Sequence, residues 1–167
     1  MTLETHDYGL ITYEEDDLLE FPDGLFGFPE LKYYLPLSLC EDGEDDGGVI
    51  LLLQSTQDIN VSFAVINPLV FVPDYAPVLT SDELSHLGVE NGNEISFYVI
   101  CIVQTDYLEN TVNLKCPLAI NSVTRTGMQV VLDHPAYGYR HKLRSFSRIF
   151  NSTTAEEGPN KSADSQT

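Results

Sequence analysis

Short apolar runs, each closed by turn-forming residues, constrain this chain more than any other feature. β-branched and aromatic residues gather in stretches separated by Gly, Pro, Asn and Asp clusters about every ten residues, the pattern of a protein built from strands. The runs predict strands over residues 8–13, 18–21, 33–39, 49–54, 62–66, 70–72, 95–103, 112–114, 118–121 and 129–132. Asn91-Gly92 and Thr126-Gly127 supply residues that tolerate positive φ, the second between two apolar stretches where a hairpin turn is expected. One short helix is signposted, with Thr80 as N-cap, Glu83 as its capping-box partner, Leu79 and Leu84 as a hydrophobic staple and Gly88 as the stop. The chain therefore reads as all-β with one or two short helices.

At 167 residues the chain suits one domain, expected over residues 1–145. Residues 146–167 are expected to form a disordered tail, because beyond Phe150 no large apolar side chain offsets the entropy of ordering. Charge is divided along the chain. Residues 1–114 hold 22 of the 26 Asp and Glu but only one of the eight Lys and Arg, Lys32, within a formal net charge of −18. Arg140, Lys142, Arg144 and Arg148 crowd together near the other end. Such an anionic body repels nucleic acid and anionic membrane and attracts basic protein surfaces. The first ten residues lack a basic stretch followed by an apolar one, and no apolar run approaches the roughly 18 residues that span a bilayer, so a cytoplasmic location is expected. Cys40, Cys101 and Cys116, odd in number and flanked by apolar residues or Pro, suit reduced thiols.

Residues with catalytic spacing do not stand out. The sequence contains no nucleophile elbow, P-loop or dinucleotide fingerprint, and His6, His86, His134 and His141 are scattered without ligand-like spacing, so neither enzyme activity nor a metal or cofactor is expected. The acidic, glycine-rich stretch 41–48 reads as an exposed loop. As a calcium loop it fails at the twelfth position from Asp42, where Leu53 stands in place of a bidentate Glu. The run from Glu14 to Asp17 reads first as a solvated turn face and second as a recognition surface. The basic cluster from Arg140 to Arg148, with Phe146, Ile149 and Phe150 among its charges, reads first as an amphipathic segment against the protein's own acidic body and second as a contact for an acidic partner.

The densest apolar run extends from Phe63 to Tyr75 and is interrupted by Pro68 and Pro73. Pro68 lacks an N–H and marks a strand end, edge or bulge, and Asn67 can hydrogen-bond locally at the bend. Strand alternation would set Asn67, Leu69 and Phe71 on one face, an apolar patch with a polar anchor of the kind found at the centre of protein interfaces.

The order of several motifs resembles the FliW family of flagellar assembly factors. The similarity spans about residues 5 to 143: Gly9-Leu10-Ile11, the stretch from Leu19 to Phe28 with Pro22-Asp23-Gly24, Leu53-Gln54-Ser55, Ile66-Asn67-Pro68-Leu69-Val70-Phe71 with Pro73-Asp74-Tyr75, Asn113-Leu114 to Asn121 around Pro117, and Arg125-Thr126-Gly127-Met128-Gln129. The chain departs from the family pattern at Phe26, where a Pro is usual, at the acidic insert 41–48, and in its basic stretch beyond Leu143.

The resemblance implies a compact, strongly bent antiparallel β structure, barrel-like or sandwich-like, monomeric and without cofactor. It implies two protein partners: the small basic translational regulator CsrA, which represses flagellin synthesis, and flagellin itself. Carried onto this sequence, it places the CsrA contact at Asn67, Pro68, Leu69 and Phe71, with Gln54 and Ser55 as neighbours. Two rival expectations are a flagellin chaperone without CsrA control, motivated by the apolar run, and a polyanion mimic that inhibits another nucleic-acid-binding protein, motivated by the charge.

Overall fold

The computed structural model describes residues 1–5, 9–38, 50–102 and 109–143. His6, Cys40, the acidic stretch 41–48, Arg144, Arg148 and the expected tail over 146–167 lie outside the described residues.

The strands are β1 (Thr2–Thr5), β2 (Gly9–Thr12), β3 (Leu19–Glu20), β4 (Tyr33–Ser38), β5 (Ile50–Ser55), β6 (Ser62–Ile66), β7 (Ser96–Ile102), β8 (Thr111–Val112), β9 (Leu118–Asn121), β10 (Thr126–Gln129) and β11 (His141–Lys142). Strands β1 and β2 form a separate antiparallel hairpin. The rest order as β11-β8-β7-β6-β5-β4-β3-β10-β9, and β9 returns to pair with β7, closing a barrel of seven strands. The closed barrel decides between the barrel-like and sandwich-like expectations. One pair in it is parallel, β3 with β10, where Thr126 faces Glu20. Arg125 holds that seam: its carbonyl accepts from Glu20 N–H at 2.9 Å, and its guanidinium donates to the carbonyls of Asp17 at 2.6 Å and Leu18 at 3.4 Å.

Strands β6 and β7 are apolar on both faces because both are covered. Phe63 and Val65 of β6, Tyr98 and Ile100 of β7, Leu53 of β5, Tyr34 of β4 and Leu118 and Ile120 of β9 belong to the cluster inside the barrel. Ile66, Val99, Cys101 and Ala119 point the other way, into a second core with Phe71, Tyr75, Leu87, Ile95, Leu114, Val130, Leu132 and Leu143. The excursion between β6 and β7 and the chain after β10 therefore roof the outer face of the β6–β7–β9 wall. Two-sided burial explains why these strands read as continuous apolar runs instead of alternating ones.

The short helix α1 (Ser81–His86) forms as its caps require. Thr80 Oγ accepts from Glu83 N–H at 3.1 Å and Glu83 Oε1 accepts from Thr80 N–H at 2.8 Å. Gly88, at φ +73°, ends it, with Val89 N–H donating to Leu84 C=O and Gly88 N–H to Ser85 C=O.

Four local expectations are corrected. Residues 70–72 are not a strand, since Pro68–Val70 is one turn of 3-10 helix. The predicted strand 129–132 is not formed: β10 ends at Gln129, and residues 130–132 lie outside any strand. Thr126-Gly127 lies inside β10 rather than in the turn; Asn121 Oδ1 accepts from Val123 and Thr124 N–H, and Arg125 takes the positive φ of 61°. Gly127 is where it is because a Cβ there would stand 2.6 Å from the Phe21 ring. Asn91-Gly92 opens a 3-10 turn over Gly92–Glu94, with Asn91 Oδ1 accepting from Asn93 N–H.

Candidate partner-binding site

The bend after β6 is built by Asn67. Its Oδ1 accepts from Leu69 N–H at 3.0 Å while its carbonyl accepts from Val70 N–H at 3.3 Å, so the chain leaves the strand and coils. Proline suits the first position of the turn because it has no N–H to leave unpaired. With three residues per 3-10 turn, positions i and i+3 share a side. Pro68 and Phe71 accordingly face inward and are buried, whereas Leu69 is 52% and Val70 43% exposed.

The expected single face of Asn67, Leu69 and Phe71 is therefore not formed. Phe71 is 2% exposed and belongs to the outer core, so it anchors the turn from beneath. Alternation failed here because the period changed from two to three at Pro68. Gln54 and Ser55 are also displaced from the patch. In the β5–β6 register Gln54 faces Ser62, at the start of β6, while the bend lies beyond Ile66 at its end. Both side chains are buried and build the β5–β6 turn: Gln54 Nε2 donates to the carbonyls of Ser55, Ile59 and Val61, and Ser55 Oγ accepts from Gln57 and Asp58 N–H.

Beside Leu69 the surface opens into a cleft of about 220 Å³ lined by Asn67, Pro68, Leu69, Tyr75 and residues 95–98 of the β7 entry. Ser96 and Tyr98 also border a largely apolar hollow of about 140 Å³, among Leu19, Pro36, Leu53, Ile120 and Arg125. The Tyr75 hydroxyl donates to Leu114 C=O at 2.7 Å, and its burial, with Tyr137 and Cys116 nearby, pushes the phenol above its ordinary range. Asp74 and Glu94, both exposed, immediately precede the lining residues Tyr75 and Ile95, and no Lys or Arg lines the cleft among the described residues. The site joins an exposed apolar turn to a cleft of mixed polar and apolar lining, with exposed carboxylates adjoining it in sequence, a combination suited to docking a basic protein surface.

The histidines do other work. His86 Nε2 stands 3.4 Å from Asp23 Oδ2, both exposed, and His134 stacks on Tyr137 with ring centroids 4.4 Å apart. No group of three or more His, Cys, Asp or Glu placed to hold a metal ion occurs among the described residues. Cys101 and Cys116 are buried free thiols, raised in pKa chiefly by burial. No helix is long and apolar enough to cross a membrane among the described residues. Sequence reasoning quoted Arg125 only as part of a motif and missed its role at the seam, and it assigned the exposed Val70 to a strand.

The sequence profile of the FliW protein family matches residues 2–143. The chain is 38% identical over 144 residues to the flagellar assembly factor FliW of Symbiobacterium thermophilum, an alignment covering 86% of this chain and 99% of that protein. It is 35% identical over 143 residues to the protein of the same name from Caldanaerobacter subterraneus, covering 86% and 93% of the two. A solved structure described as the crystal structure of the flagellar assembly factor FliW superposes with a TM-score of 0.76 at 29% identity, over 86% of this chain and 96% of that one.

Proposed function

The chain belongs to the FliW family, and on that footing we propose that it is a flagellar assembly factor acting by partner exchange between flagellin and the translational regulator CsrA. While flagellin is abundant in the cell it occupies the protein. Once flagellin is exported, the freed protein captures CsrA and relieves repression of flagellin synthesis.

The observation that carries the CsrA half is the surface at the β6–β7 excursion: exposed Leu69 and Val70 beside a cleft that no cation lines among the described residues, with exposed Asp74 and Glu94 next in sequence to two of its lining residues. An RNA-binding partner presents basic residues, and a body of net charge −18 both attracts them and repels the phosphates that compete for them. Screening confines the repulsion to about 8 Å at physiological salt, so it acts on RNA lying close to the docked surface. Leu69 and Val70 make the contact in this reading, Asn67 and Pro68 hold their turn, and Phe71 supports it from the core. Gln54 and Ser55 act only on the shape of a distant turn.

Titration of the purified protein against CsrA from the same organism tests the proposal. Micromolar or tighter binding that Leu69→Ala weakens at least tenfold, with release of a bound flagellin leader RNA, is the expected result. Absence of binding by the wild-type chain removes the mechanism. Binding to flagellin with no effect on the CsrA–RNA complex selects the chaperone reading instead.

A further inference from the structure

The far end of the barrel carries a second cleft of opposite character. It has a volume of about 360 Å³ and is lined by Ile100 and Ile102 at the end of β7, Gln129 at the end of β10, Phe26, Tyr139 and Arg140, among others. Phe26 is 54%, Ile102 44% and Tyr139 60% exposed, three large apolar side chains around one hollow. Isolated exposed apolar residues are ordinary, but a contiguous group around a concavity marks an interaction surface.

These side chains are held in place. Gly24, at φ +70°, turns the chain where a Cβ would meet Phe28 O at 2.5 Å, leaving Leu25 buried and Phe26 presented outward. Phe26 N–H donates to Gln129 Oε1 at 2.8 Å, and Gln129 Nε2 donates to Cys116 C=O at 3.1 Å. On the facing side, Gly138 C=O accepts from Leu114 and Lys115 N–H, each at 3.1 Å, and Lys115 Nζ lies 5.9 Å from the centroid of the Tyr139 ring.

Charge identifies the occupant. Among the described residues no carboxylate lines this cleft, while Arg140 does, exposed and without an ion-pair partner among those residues. The neighbouring Lys142 is engaged with Glu109 at 3.4 Å. On a chain of net charge −18 this local reversal matters, since a basic partner drawn in by the overall field would meet a cation here. A guanidinium presents a planar fork that matches a carboxylate. We infer that this cleft is a second docking site, separate from the Leu69 surface, and that it takes an acidic amphipathic protein segment. An apolar side chain of the segment seats among Phe26, Ile102 and Tyr139, and a flanking carboxylate pairs with Arg140.

The test uses a fluorescein-labelled amphipathic peptide of about 14 residues, long enough for a helical apolar face, with Leu along that face and Glu beside it. Its twin has Lys in place of Glu. Fluorescence anisotropy with the full chain at low and physiological salt reads the affinities. The Glu peptide is expected to bind at least about tenfold tighter than the Lys peptide, the scale of one charge-assisted hydrogen bond. Arg140→Glu is expected to invert that order and Phe26→Ser to weaken the Glu peptide at least about fivefold, the effect of losing one apolar contact. Leu69→Ala leaves it unchanged. All three positions are exposed, and an unaltered melting curve verifies each fold. The inference is overturned if the Lys peptide binds as well or better, as net charge alone would dictate, if Arg140→Glu leaves the order intact, or if neither peptide binds at millimolar concentration. Because CsrA titration reads the other surface, its failure and this one are distinguishable.

Discussion

The hydroxyl of Tyr75 donates to the carbonyl of Leu114 at 2.7 Å, both residues buried and 39 apart in sequence. One end of this bond lies in the wall of the Leu69 cleft. The other lies in the segment between β8 and β9, next to Asn113 and Cys116 of the second cleft. Tyr75→Phe keeps the ring and deletes the donor, leaving a buried carbonyl short of a partner, so the expected loss is about 1–3 kcal/mol. Urea denaturation measures it.

Leu69 and Phe71 should separate binding from folding. Leu69→Asp puts a carboxylate on an exposed position, so stability should change by no more than about 0.5 kcal/mol, while CsrA binding falls at least tenfold because the apolar contact is lost. Phe71→Ala empties a core site and should cost about 3–5 kcal/mol. Parallel unfolding curves and binding titrations decide, and equal destabilisation by the two would contradict the placement of these side chains.

Gly24 and Gly127 should differ in tolerance to Ala. At Gly127 the added Cβ meets a side chain, the Phe21 ring at 2.6 Å, and overpacking of that kind costs about 1–3 kcal/mol. At Gly24 it meets backbone, Phe28 O at 2.5 Å, and the residue also sits at φ +70°. Gly24→Ala should therefore be the more destabilising of the two, as read by thermal melting, and should disturb the presentation of Phe26.

Alkaline pH should destabilise the fold through its buried phenols and thiols. Burial pushes the Tyr34 phenol up to about 12 and also raises Tyr75, Cys101 and Cys116. For each, the unfolded chain loses its proton first. The stability tied to the protonated form is whole below the unfolded value, about 8.5 for the thiols and 10 for the phenols, and is lost as pH climbs through the folded one. Urea midpoints are expected to hold to about pH 8 and fall steadily beyond about pH 10, the ordinary phenol value. Tyr34→Phe should soften the fall. At neutral pH the same change should be neutral or stabilising by up to about 1 kcal/mol, because the Tyr34 hydroxyl is buried without a hydrogen-bond partner among the described residues.

Much of the local architecture was legible in the sequence. The capping box at Thr80 and Glu83 and the stop at Gly88 involve residues close along the chain, so their geometry follows from local bonding alone. The strands at 62–66 and 118–121 were legible because their apolar residues are bounded by clear breakers. Hairpin β1–β2 was only half anticipated, and β11, two residues long, has no compositional signal because its pairing with β8 supplies its only reason to be extended.

The side-chain directions at the candidate site were not legible in the same way. From sequence, Asn67-Pro68 determined that the strand must end, since proline cannot donate and Asn can close the bend. Tertiary structure decided what followed: a 3-10 turn whose inward positions meet the core left open above Ile66 and Val99, burying Phe71 and exposing Val70. Gly127 makes the same point from the other side. Its composition signals a turn, but the nearness of Phe21, which only barrel closure creates, makes it a strand residue. Periodicity is written in the chain because it depends on neighbours in sequence. The face that ends up dry depends on which distant segment covers it, and here that is the excursion tied down by Tyr75 and Leu114.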